Sequence, residues 1–133
     1  VEALKTYGTA LGMAFQIVDD VLDYGGASAN LGKNTGDDFR EGKVTLPVLL
    51  AVEAAPDDEA RAFWKRVIEK RDQREGDLDQ ALSLMAAADA LTGSETRARA
   101  YAAEAREALA AFPDSPLRAA LEGVVEFVVA RLP

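Results

Sequence analysis

Three aspartates fall close together in the run Gln16-Ile17-Val18-Asp19-Asp20-Val21-Leu22-Asp23. Counted from Gln16, the polar positions recur at i, i+3, i+4 and i+7, the spacing that aligns side chains on one face of a helix. Leu11, Ala14, Phe15, Val18 and Leu22 form an apolar face of the same stretch, and Met13, Ile17 and Val21 carry apolarity around most of the circumference. A helix apolar nearly all round is normally enclosed by other helices. Asp19 and Asp23 sit one turn apart and repel each other, and an unpaired carboxylate taken out of water tends to neutralise. Such a face calls for a cation. The chain has no His and no Cys, so the donors are oxygens alone and the ion they suit is hard, Mg²⁺ ahead of Ca²⁺. A solvated acidic face is the competing reading. An EF-hand is excluded, because Asp19, Val21 and Asp23 do not alternate oxygen ligands as that loop requires.

The segment 25–44 follows at once, with glycines at 25, 26, 32, 36 and 42, and with Lys33 and Lys43 each directly after a glycine. Flexible backbone with lysine donors suits phosphate oxygens. A Walker A loop does not fit: Gly36 and Gly42 enclose five residues, Val44 stands where Ser or Thr is needed, and no strand pattern precedes them. Taken alone the segment reads more readily as a mobile connector. Beside the aspartate face, its lysines describe a site for a diphosphate and the divalent cation it shares with protein carboxylates.

These residues need a frame to hold them. Twenty-six alanines, 49% apolar residues and repeated i, i+3, i+4 apolar spacing read as all-α. Helices are expected over 2–24, 46–55, 58–74, 78–91, 95–111 and 116–131. Gly25-Gly26 should stop the first. Asp57 after Pro56, and Ser115 before Pro116, read as N-caps. Asp77 with Gln80, and Thr92 with Glu95, have capping-box spacing. Trp64 and the stripe Leu117, Leu121, Val124, Val125 and Val128 read as core.

Composition removes other classes. Fifteen basic against 23 acidic residues leave a net charge of −8, which argues against a nucleic-acid binder. Absence of Cys and His excludes a disulfide scaffold, a thiol nucleophile, a usual zinc site and a Ser-His-Asp triad. No run approaches the ~20 apolar residues of a membrane span. With no basic, apolar leader at its start, the chain is expected in a reducing cytoplasm.

Phe15 through Tyr24 resembles the second aspartate-rich motif of trans-type polyprenyl diphosphate synthases. Leu31-Gly32-Lys33, Gly36-Asp37-Asp38 and Gly42-Lys43-Val44-Thr45-Leu46-Pro47 are similar to that family's next block in order and spacing. The likeness is specific over residues 7–51 and weaker beyond. In look it is nearest to the bacterial octaprenyl and decaprenyl diphosphate synthases. The resemblance implies an all-α isoprenoid-synthase helical bundle, usually a homodimer. It also implies a Mg²⁺-dependent prenyltransferase that condenses an allylic diphosphate with isopentenyl diphosphate. Carried over by position, Asp19 would ligate Mg²⁺ directly, with Asp23 and Asp38 acting nearby through metal-bound water and Asp20 the least placed of the acids. Lys33 and Lys43 would contact the allylic diphosphate, and Gln16 would line the same pocket.

The family's first aspartate-rich motif and the basic residues for isopentenyl diphosphate have no counterpart among these residues. Residues 1–133 are therefore expected to be the C-terminal part of a single polyprenyl synthase domain, inactive by themselves. Two alternatives remain. One is a class I terpene cyclase, which also uses aspartates and Mg²⁺, and the other is a non-catalytic helical subunit or dimerisation module.

Overall fold

The computed structural model describes residues 1–25 and 35–133. Among them every regular element is helical. Seven α-helices follow in order: α1 (Glu2–Tyr24), α2 (Asp37–Arg40), α3 (Leu46–Glu53), α4 (Asp58–Trp64), α5 (Asp77–Ala87), α6 (Ala90–Ala108) and α7 (Pro116–Ala130). A π-turn at Lys65–Glu69 continues α4, and a 3₁₀ turn at Leu109–Ala111 continues α6. The chain divides into two compact units, Val1–Asp19 with Glu95–Pro133, and Asp20–Ser94.

In the second unit the core gathers Tyr24, Phe39, Val48, Ala51, Phe63, Trp64, Val67, Ala81, Met85 and Ala90. Phe63 and Trp64 meet edge to face at 5.1 Å between ring centroids, a geometry favoured by the ring quadrupoles. Met85 and Val67 are fully buried, and each such side chain contributes roughly 1.5–3 kcal/mol through lost apolar exposure. In the first unit, Ala98, Ala102, Ala105 and Leu109 are buried at helical spacing, as are Ala10, Ala14, Ile17 and Val18 on α1. Side chains this small allow helix axes to approach closely. Tyr7 donates its hydroxyl to the Leu121 carbonyl at 2.9 Å. Part of the apolar circumference of α1 remains open, with Met13 and Phe15 close to half exposed.

The termini show where local sequence decides and where it yields. Asp57 caps α4 by accepting from Ala60 N at 2.8 Å, and Ser115 caps α7 by accepting from Arg118 N at 3.1 Å, each a cap of about 1 kcal/mol. The expected helix 58–74 stops early. Its last turn widens into the π-turn, and Arg71 takes a left-handed φ of 52°. Arg66 folds back to donate to the Asp72 carbonyl and to both carboxylate oxygens of Asp77, at 2.8 and 2.9 Å. Asp77 consequently does not cap α5. Gly76 holds that place at φ 86°, and Asp77 accepts from Arg74 N at 2.7 Å. Thr92 does not cap either, because α6 already begins at Ala90, after Asp89 at φ 50°. Helix α2 is an addition that the periodicity did not announce.

Candidate functional site

Helix α1 carries the aspartate motif to its C-terminal end, and burial sorts the three acids. Asp23 is 0% exposed and Asp20 is buried, whereas the Asp19 side chain is 42% exposed. Asp19 lies in the first unit, where its Oδ1 is 3.7 Å from Nη2 of Arg131, at the end of α7. The Arg131 guanidinium also covers the Phe15 ring, 5.3 Å from the centroid, an attraction of the cation to the ring face.

The second unit holds the other acids. Asp23 Oδ2 accepts from the backbone N–H of Asp38 at 3.0 Å, and the Asp23 main-chain carbonyl accepts from Gly36 N at 3.0 Å. Gly36 makes this turn possible. Its φ is 82°, a conformation that strains any other L residue, and a Cβ there would also stand 2.5 Å from Cδ1 of Leu78 on α5, which would have to shift. Beyond α2, Lys43 N donates to the Asp38 carbonyl at 2.9 Å, and Lys43 Nζ lies 3.9 Å from Asp38 Oδ1. The Lys43 side chain is half exposed, so its ammonium reaches solvent while its backbone is tied down.

Tyr24 and Thr45 complete this side. Both are buried, and neither hydroxyl finds a hydrogen-bond partner of good geometry. Burial first, then the negative charge of Asp23, Asp38 and Asp20, push the Tyr24 phenol well above its usual value of 10.0, and the nearby Thr45 hydroxyl lowers it in part. The phenol is therefore a neutral group among carboxylates.

Of the residues expected at the site, the structure brings Asp23, Asp38 and Lys43 into one connected set. Asp20 lies near enough to act on the same phenol as Asp23 and Asp38. Asp19 is placed opposite Arg131, and Gln16 is exposed on α1. Lys33 lies outside the described residues. Among the described residues no three carboxylates converge closely enough to cage a metal ion. The donor chemistry nonetheless fits a hard divalent ion: the donors are carboxylate oxygens, and one of them, on Asp19, is open to solvent. Sequence reasoning missed Arg131, Tyr24 and Thr45. Tyr24 follows the motif directly and could have been found by extending the helical face one residue; Arg131 lies more than a hundred residues away and carries no local signal.

The arrangement can be set beside known proteins. Residues 1–85 match the polyprenyl synthetase family model. The chain belongs to that family. It is 40% identical over 130 residues to octaprenyl diphosphate synthase from Escherichia coli, spanning 98% of this chain and 40% of that protein. The crystal structure of a decaprenyl diphosphate synthase from Rhodobacter capsulatus superposes with a TM-score of 0.89 at 55% identity, covering 99% of this chain and 40% of that one. A polyprenyl synthase from Caulobacter crescentus, complexed with calcium and isoprenyl diphosphate, gives a TM-score of 0.84 at 49% identity, with coverage of 99% and 40%. The all-helical fold expected from the family is thus found, and the chain spans about 40% of the length of these polyprenyl synthases. No described helix is long and apolar enough to cross a membrane.

Proposed function

We propose that this chain supplies the cation and diphosphate side of a prenyltransferase. The enzyme would join an allylic diphosphate to isopentenyl diphosphate and release a long trans-polyprenyl diphosphate. The observation that carries the reading is the linked set Asp23, Asp38 and Lys43: acids held beside an anchored, solvent-reaching lysine directly after the aspartate motif. The calcium and isoprenyl diphosphate named with the Caulobacter crescentus structure support a divalent cation and an isoprenoid diphosphate as its ligands. The names of the relatives favour this reading over a terpene cyclase.

In this proposal Asp19 would hold Mg²⁺, and Asp20, Asp23 and Asp38 would supply the neighbouring negative charge. Bound Mg²⁺ would offset the charge that grows on the departing diphosphate. Lys33 and Lys43 donate to diphosphate oxygens, where charge-assisted hydrogen bonds are strongest, and Gln16 lines the same pocket. These donors stabilise the leaving group as the allylic carbon–oxygen bond breaks. The double bond of isopentenyl diphosphate then attacks the allylic cation, and loss of a proton restores an alkene. The site is completed by residues outside these 133, and we carry over a cytoplasmic homodimer as the assembly.

The test is a chimera in which this chain replaces the matching segment of the Rhodobacter capsulatus enzyme. With Mg²⁺, an allylic diphosphate and labelled isopentenyl diphosphate, it should elongate the chain, while the 133 residues alone should not. Asp19→Ala should cost the chimera ~10²-fold or more in turnover, the scale of losing a charge-stabilising group, and Asp20→Ala much less. A folded but inactive chimera, or equal losses from the two substitutions, would overturn the proposal.

A further inference from the structure

Asp23 is the most enclosed of the motif's acids, and its contacts run toward the chain rather than toward solvent. Its carboxylate has no exposure, so a cation could reach it only after the surrounding residues moved. One of its oxygens takes the Asp38 N–H at 3.0 Å, and its own carbonyl takes the Gly36 N–H at 3.0 Å. One residue at the end of α1 thus grips the returning chain at two points, two residues apart.

The grip is passed on. Gly36, held at φ 82°, sets the direction in which α2 leaves. Arg40 N then donates to the Gly36 carbonyl, and Lys43 N to the Asp38 carbonyl at 2.9 Å. Asp38, held from below by Asp23, stands 3.9 Å from the Lys43 ammonium. A lysine side chain is otherwise free to sample many rotamers, and that freedom must be given up to meet a ligand. Here the backbone on which it stands is already set.

We propose that Asp23 is a positioning residue: it locks Asp38 and, through Asp38, Lys43 into place for the diphosphate. This rests on the reading of the site given above and assigns Asp23 to holding the chain, leaving cation contact to Asp19. The distinction is chemical. A ligand needs the negative charge of the carboxylate, whereas an acceptor for Asp38 N–H needs only an oxygen in the right place, which asparagine also provides.

The test uses the Rhodobacter capsulatus chimera described above as parent, with Asp23→Asn and Asp23→Ala in it, and two readouts: amide hydrogen exchange at Asp38, and calorimetric binding of pyrophosphate with Mg²⁺. In the parent the Asp38 amide should be protected. Asp23→Ala should lower that protection about tenfold or more, the scale of leaving a buried N–H without its acceptor, and weaken pyrophosphate binding by a similar factor. Asp23→Asn should restore the protection and recover most of the affinity, leaving a residual loss of a few-fold for the missing charge. An unprotected Asp38 amide in the parent would overturn the proposal. So would an Asp23→Asn chain that protects Asp38 yet binds pyrophosphate no better than Asp23→Ala. A parent that does not bind pyrophosphate at all overturns the diphosphate reading instead, while the exchange pattern still decides what Asp23 holds.

Discussion

Two buried aspartates in the second unit are answered in different ways. Asp77 accepts from both terminal nitrogens, Nη1 and Nη2, of the Arg66 guanidinium and from the N–H of Arg74. Asp38 has a backbone carbonyl taken by Lys43 N, but the ammonium of that lysine stays 3.9 Å from its carboxylate and half in solvent. Bidentate hydrogen bonding to Arg66, then the Arg74 N–H, holds the Asp77 carboxyl below the usual carboxylate value of 3.8. The first pair spends its charges on each other and closes a turn. The second leaves a cation available to something else. An acid matched in full by its own chain is a structural part, and an acid whose lysine is held at a distance has chemistry in reserve.

That contrast can be broken by exchanging which charge is removed. Lys43→Met should weaken Mg²⁺-dependent pyrophosphate binding about tenfold or more, the loss of a hydrogen bond to a charged group, with little change in the urea midpoint. Arg66→Met should do the reverse, lowering the urea midpoint and leaving pyrophosphate binding within a few-fold. Unfolding curves and calorimetry on both variants decide the matter, and a Lys43→Met chain destabilised as much as Arg66→Met would erase the distinction.

A smaller effect sharpens it by pH. Because the folded-state pKa of Asp77 is depressed, its contribution to stability is present in full above the unfolded value near 3.8 and fades as pH falls through the lower folded value. The Asp77→Asn chain should therefore lose part of the parent's acid slope in urea midpoint below about pH 4. Parallel slopes for the two chains would show that the Arg66 pair carries no such linkage.

The helices were legible because apolar periodicity and caps are local. The caps Asp57 and Ser115 follow from residues within four positions of one another. Leu117 and Val124, expected in the core, are instead exposed on α7; where the reading failed at α4 and α5, a distant partner had prevailed. Arg66 reaches eleven residues ahead, ends its own helix and takes Asp77 from the capping position. Helix α2 is four residues long between left-handed glycines, too short for periodicity to register. At the site, acid and lysine types were readable from spacing, but their division was not. Nothing in the motif itself says that Asp23 is sealed in while Asp19 faces a guanidinium from the far end of the chain.

The first unit joins residues 1–19 to residues 95–133, with Tyr7 bonded to Leu121 across 114 positions. The second is one continuous stretch. Joining the ends means closing a loop as long as that whole stretch, which costs roughly 1–2 kcal/mol more in chain entropy than closing one of about a dozen residues. If the second unit collapses first, the loop is already shortened and the ends are brought within reach. Pulse labelling during refolding should then protect the amides of Ala81 and Met85 before those of Val125 and Val128. Simultaneous protection would mean that both units form in a single step.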